Sequence, residues 1–156
     1  AYKEIDTDKK LVIAGGSSHS FDYMKQVQEM AASDERIIMT NFVQGRVLEE
    51  LYSNAYVFVL PSDVEGMALT LLEAMSYGDC CLVSDIPENI EVVENQAVTF
   101  RKGSVEDLKK KLVFLLENPE ITADYGRKSV DFICNKYSWE EMVRQTRMLY
   151  ENTDCK

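Results

Sequence analysis

Short runs of apolar and β-branched residues alternate along most of this sequence with longer stretches of helical periodicity. The apolar runs are Leu11–Ala14, Ile37–Phe42, Tyr56–Leu60, Cys80–Ser84 and Ala97–Phe100, each bounded by polar or turn-forming residues. Runs of that length and composition predict five β-strands. Between them the periodicity predicts helices over Phe21–Ala32, Arg46–Asn54, Met67–Tyr77 and Pro87–Glu94. Regular alternation of strand and helix marks βαβ units, and strands this apolar need cover on both faces. The pattern therefore predicts an α/β fold, a doubly wound parallel sheet of about five strands with helices on both faces.

After Phe100 the pattern is purely helical, and local chemistry marks three helix starts. Ser104 precedes Glu106 and Asp107, Asn118-Pro119 supplies a cap and an N1 proline, and Ser138-Trp139-Glu140-Glu141 has the spacing of a capping box. A helical C-terminal tail is expected to about Glu151. No linker, repeat or low-complexity segment interrupts residues 1–156, so a single domain is expected.

Charge narrows the function classes. The 27 acidic against 17 basic side chains leave a net charge of −10, and the summed field repels phosphate backbones and anionic headgroups. Nucleic-acid partners are thereby disfavoured. The apolar runs fall far short of the ~18 residues of a spanning helix, and no signal-peptide pattern opens the chain, so a soluble cytoplasmic protein is expected. Cys80, Cys81, Cys134 and Cys155 match neither a zinc spacing nor a secreted disulfide framework and read as thiols in a reducing compartment. No metal site is expected, and the lone His19, in a Gly-Ser loop, is assigned no role.

The stretch richest in candidate chemistry runs from Val57 to Met75. A buried strand there leads into a short polar loop, and a helix starts just after Gly66. In an open α/β sheet, ligands bind beyond the carboxyl ends of the strands, where the free N–H groups of a helix start attract anions. Gly66 lets an anion approach that backbone closely. Glu73 falls in a helix that is otherwise apolar except for Thr70, three residues away on the same face. A carboxylate with two acceptor oxygens matches a vicinal diol. A solvated helix face explains the same spacing, and both readings stand at this point.

The run Glu65-Gly-Met-Ala-Leu-Thr-Leu-Leu-Glu73-Ala-Met-Ser-Tyr-Gly78 resembles the E-x7-E signature of retaining group 1 nucleotide-sugar glycosyltransferases of GT-B architecture. Leu11 to Gly16 is similar to that family's second strand and glycine turn in its Rossmann-like C-terminal domain, and Val57 to Ser62 to its fourth. Val83-Ser84-Asp85, Ile90 to Val93 and Tyr137-Ser138-Trp139 follow in the family's order. The resemblance implies that Glu65 contacts the donor sugar in the active site and that Glu73 holds the ribose hydroxyls. It further implies backbone contacts to sugar and diphosphate from Gly66, Met67 and Ala68, a nearby turn at Gly15 and Gly16, and a main-chain contact to the base at Val43. The donor would be a nucleoside diphosphate sugar, with no cofactor and no metal.

Some positions depart from the family pattern. Asn41 stands where glycine is usual, though asparagine tolerates the left-handed region better than most residues. Asp79-Cys80 replaces the family's Thr-Pro. The resemblance also implies a further strand, an Arg–Lys pair and an N-terminal acceptor domain upstream of Ala1, and hence no transferase activity from the chain alone. In the family order 3-2-1-4-5-6 that strand is central, so the strands at Leu11 and Tyr56 are expected to pair directly and give the order 2-1-3-4-5. Two other classes compete. A receiver-type signalling module needs an acidic cluster where Gly15-Gly16 stands. A dinucleotide-binding oxidoreductase needs the third glycine of G-x-G-x-x-G, which Gly15 to Ser20 lacks.

Overall fold

The computed structural model describes residues 1–16 and 20–153, with side chains through Glu151. His19 and Cys155 lie outside the described residues. Five strands are present: β1 (Leu11–Ala14), β2 (Ile37–Asn41), β3 (Phe58–Leu60), β4 (Cys81–Ser84) and β5 (Val98–Phe100). A 3-10 turn at Tyr2–Glu4 precedes them. The helices are α1 (Phe21–Ala31), α2 (Arg46–Ser53), α3 (Leu69–Tyr77), α4 (Pro87–Val93), α5 (Val105–Glu117), α6 (Pro119–Lys136) and α7 (Trp139–Thr153). Each element falls where the periodicity places it. The clearest boundary difference is α3, which starts at Leu69 rather than Met67: Ala68 has non-helical torsions (φ −74, ψ 88) and lies outside the helix.

Every strand pair is parallel, as the βαβ alternation requires. The expected single sheet, however, is two. β1 pairs with β2, and β3, β4 and β5 form a separate three-stranded sheet in that order. The direct pairing expected between β1 and β3 is absent, so the order 2-1-3-4-5 is corrected to 1-2 beside 3-4-5. The reason lies in burial. β4 is buried at every position, whereas β1 alternates between half-buried and exposed and no residue of β3 is fully buried. Edge groups that water reaches carry no penalty for being unpaired in the ladder, so nothing forces the two edges together. Side chains bridge the halves instead: the Lys9 ammonium sits 4.0 Å from the centre of the Tyr56 ring.

The core is built on the two faces of β4. Cys81 and Val83 point into a cluster with Leu71, Ala74 and Met75 of α3, Val92 and Val93 of α4, and Ile133 of α6. Cys80 at the strand's entry and Leu82 point the other way, into a second cluster with Val98, Phe100 and Leu115, flanked by Leu108 and Leu112 of α5. Alternate side chains of one strand thus require helices on both sides. Two expected caps form: the Ser104 hydroxyl accepts from Asp107 N–H and the Ser138 hydroxyl from Glu141 N–H, both at 3.2 Å. Asn118 does not cap; its amide donates instead to Phe114 O at 2.7 Å, and Pro119 opens α6. Among the described residues no helix is long and apolar enough to cross a membrane.

Candidate functional site

The loop from Pro61 to Ala68 carries the peptide from the end of β3 to the start of α3. Its entry is pinned to the neighbouring strand. The Ser84 hydroxyl at the end of β4 donates to Ser62 O at 2.6 Å, and the buried Asn89 amide at the start of α4 donates to Ser84 Oγ at 3.1 Å and to Ser84 O at 3.2 Å. Ser62 in turn donates its hydroxyl to Glu65 Oε1 at 2.6 Å. A chain of four polar residues therefore fixes one oxygen of the half-buried Glu65 and leaves the other unclaimed by this bond.

Beyond Glu65 the backbone is open. A side-chain carbon built on Gly66 would meet no atom of the described residues within 4 Å, and the same holds at Gly15 and Gly16. Among the described residues nothing packs against these glycines, which leaves the space before them open. Gly15 also requires its residue type for conformation: φ is +125, and its N–H donates to Asn41 O at 2.8 Å. Asn41 adopts φ +58, the left-handed conformation its side chain tolerates, where the register between β1 and β2 slips by one. No side chain caps α3, and Leu71 and Leu72 turn their amides back to Ala68 O. The amide end of α3 faces the loop with its partial positive charge uncompensated by a cap. Met67 is exposed and Ala68 buried.

Glu73 and Thr70 are both exposed on α3, as a solvated stripe would be. One contact separates Glu73 from an ordinary surface glutamate. Tyr52, on α2 and only 7% exposed, donates its hydroxyl to Glu73 Oε2 at 3.0 Å. Its ring is stacked on Tyr77 at 5.3 Å and tilted against Phe58 at 6.0 Å. Burial, followed by the bond to Glu73, pushes the phenol's pKa up, so it remains a donor.

The predicted residues thus fall into two groups. Glu65, Gly66, Met67, Ala68 and Glu73 lie on one segment after β3, whereas Gly15 and Gly16 follow β1, and Val43, half-buried, follows β2. The Tyr52–Glu73 bond ties α2 to α3. Tyr52, Ser62, Ser84 and Asn89 were not candidates from sequence. Tyr52 and Leu48 share a helical spacing that marks the inner face of α2, but nothing in that spacing names a partner 21 residues on.

Residues 1–132 match the family of glycosyl transferases group 1. Among individual relatives, an uncharacterized glycosyltransferase of Methanocaldococcus jannaschii is 27% identical over 150 residues, which are 91% of this chain and 37% of that protein. The sulfoquinovosyl transferase SQD2 of Arabidopsis thaliana is 29% identical over 147 residues, 90% of this chain and 27% of that one. The chain thus spans about a third of the length of these relatives. Among solved structures, Anabaena Alr3699/HepE in complex with UDP superposes with a TM-score of 0.87 at 14% identity, over 97% of this chain and 43% of that one. Sucrose-phosphate synthase from Thermosynechococcus elongatus gives 0.79 at 20% identity, over 92% and 38%. The match over residues 1–132, most of the chain, shows that this protein belongs to the glycosyl transferases group 1 family.

Proposed function

We propose that the chain is the donor-binding portion of a glycosyltransferase that moves a sugar from a nucleoside diphosphate sugar to an acceptor with retention at the anomeric carbon. One observation carries most of the weight: two glutamates eight residues apart, each with one carboxylate oxygen held by a neighbouring hydroxyl, flank the uncapped start of α3. Glu65 faces the donor sugar at the reacting end. Glu73 accepts from the ribose hydroxyls with the acceptor positions that Tyr52 leaves open. Between them, the amides at Gly66, Met67 and Ala68 approach the sugar and diphosphate, and the helix end favours the charge that develops on the leaving diphosphate. Gly15 and Gly16 leave room beside it, and Val43 meets the base through its main chain. The acceptor and the rest of the catalytic cleft belong to the remainder of a longer enzyme.

The Anabaena neighbour has also been solved with UDP-glucose, which makes UDP the first probe. A thermal-shift panel of UDP, GDP, ADP, acetyl phosphate and NAD tests the class, with a nucleoside diphosphate expected to stabilise the chain most. Stabilisation by acetyl phosphate or NAD in preference would favour the receiver-type or oxidoreductase alternatives. The residue roles are separable too. Glu73→Gln is expected to weaken binding of the preferred nucleoside diphosphate by roughly tenfold or more, since a charge-assisted hydrogen bond contributes about 1.5–3 kcal/mol. Glu65→Gln should change it little, because UDP or GDP lacks the sugar. Isothermal titration with both variants checks this, and equal losses would overturn the division of roles.

A further inference from the structure

We propose that Tyr52 is a positioning residue for donor binding, its phenol fixing the plane of the Glu73 carboxylate so that the remaining acceptor sites face a ribose diol. This rests on the reading of Glu73 as the ribose ligand. Glu73 is exposed, and an exposed glutamate on a helix moves among several rotamers about three side-chain bonds. A vicinal diol offers two donors in fixed geometry, so a carboxylate that must meet both gains from being held in one orientation before the ligand arrives.

The anchor is rigid where the glutamate is not. Tyr52 is buried, its ring lies between Tyr77 and Phe58, and its hydroxyl reaches Glu73 Oε2 at 3.0 Å. A carboxylate has about four acceptor positions and the phenol occupies one, so the bond orients the group without saturating it. Tyr52 and Leu48 of α2 pack into the same core cluster as Leu71, Ala74 and Met75 of α3, so the phenol is held in place relative to the helix that carries Glu73.

Tyr52→Phe keeps the ring and removes only the hydroxyl. With UDP and 2′,3′-dideoxy-UDP as probes in isothermal titration, we expect the variant to lose roughly three- to tenfold in UDP affinity, the range of one hydrogen bond, and to bind the dideoxy analogue as the wild type does. In a Glu73→Gln background the same change should cost nothing further. Equal weakening of both probes by Tyr52→Phe would mean that the tyrosine merely braces α2 against α3, and would overturn the proposal. So would unchanged UDP affinity in a variant chain whose Glu73→Gln counterpart binds weakly, an outcome that leaves the donor reading intact. If Glu73→Gln itself binds UDP normally, the ribose assignment fails and the role of Tyr52 fails with it. A crystal structure of the wild-type chain with UDP decides the matter without any variant: the Tyr52–Glu73 bond kept while Glu73 meets the ribose supports positioning, and a broken bond contradicts it.

Discussion

Gly126→Ala should lower the stability of the chain by about 1–3 kcal/mol, although alanine is the better helix former by roughly 1 kcal/mol. Gly126 lies on the stripe of α6 formed by Thr122, Gly126, Ser129 and Ile133, all buried. A side-chain carbon added there would overlap the carbonyl oxygen of Gly78, with the Cys80 amide nitrogen only 3.6 Å away. Backbone, unlike a flexible side chain, cannot turn aside. Gly78 is itself held as the left-handed cap of α3 at φ +84, with its N–H on Met75 O at 3.1 Å and the Asp79 N–H on Ala74 O at 3.1 Å. The Ser129 hydroxyl shares its single proton between Gly126 O at 2.8 Å and Met75 O at 3.1 Å, across the two helices. Relief therefore requires α6 to withdraw from α3, which opens the core around Met75 and Ile133. Urea unfolding measures the effect, with Cys134→Ala on the exposed side of the same helix expected to stay within about 0.5 kcal/mol of wild type. A Gly126→Ala midpoint equal to that control would contradict the close approach of α6 to Gly78.

That approach also marks the limit of what sequence alone conveys. The five strands were legible because their apolar runs are short and bounded, and the Ser104 and Ser138 caps because a cap is local chemistry. Asn41 was legible as a left-handed residue because the family resemblance has glycine at its position and asparagine tolerates that conformation. Gly126 was not, since its reason is Gly78, 48 residues earlier. Glu65 and Glu73 were found through a family signature, while the hydroxyls that hold them, on Ser62 and Tyr52, come from other turns of the chain. The direct pairing expected of β1 and β3 is absent, because a sequence does not show which strand edges water reaches. Whether an unpaired edge is costly depends on water reaching it, and burial is a property of the assembled fold.

Asp79 is the clearest case of such a hidden property, and it yields the second large effect. In the sequence it is a polar residue after a helix-ending glycine; in the fold it is 4% exposed, and its Oδ2 has no hydrogen-bond partner among the described residues. It follows the carbonyl end of α3, where the helix dipole disfavours negative charge. Burial pushes its carboxyl up to about 7, against an ordinary value of 3.8 in the unfolded chain. Between those values the native state binds the extra proton, so stability falls as pH rises from about 4 to about 7 and levels off above. Asp34 and Glu141 act with the opposite sign and in another window. Arg36 and Arg144 hold them down to about 2, so the stability they add is present above their unfolded values and is lost as pH falls toward 2. Asp79→Asn removes the charge while keeping the shape. At pH 7.5 or above it is expected to raise stability by about 1–3 kcal/mol, because a neutral amide is spared the cost of burying an ionised carboxylate, and below pH 4 to change it little. Chemical denaturation of both proteins at the two pH values separates ionisation from packing: a gain of equal size at both would mean that the carboxylate's charge is not what destabilises this corner of the fold.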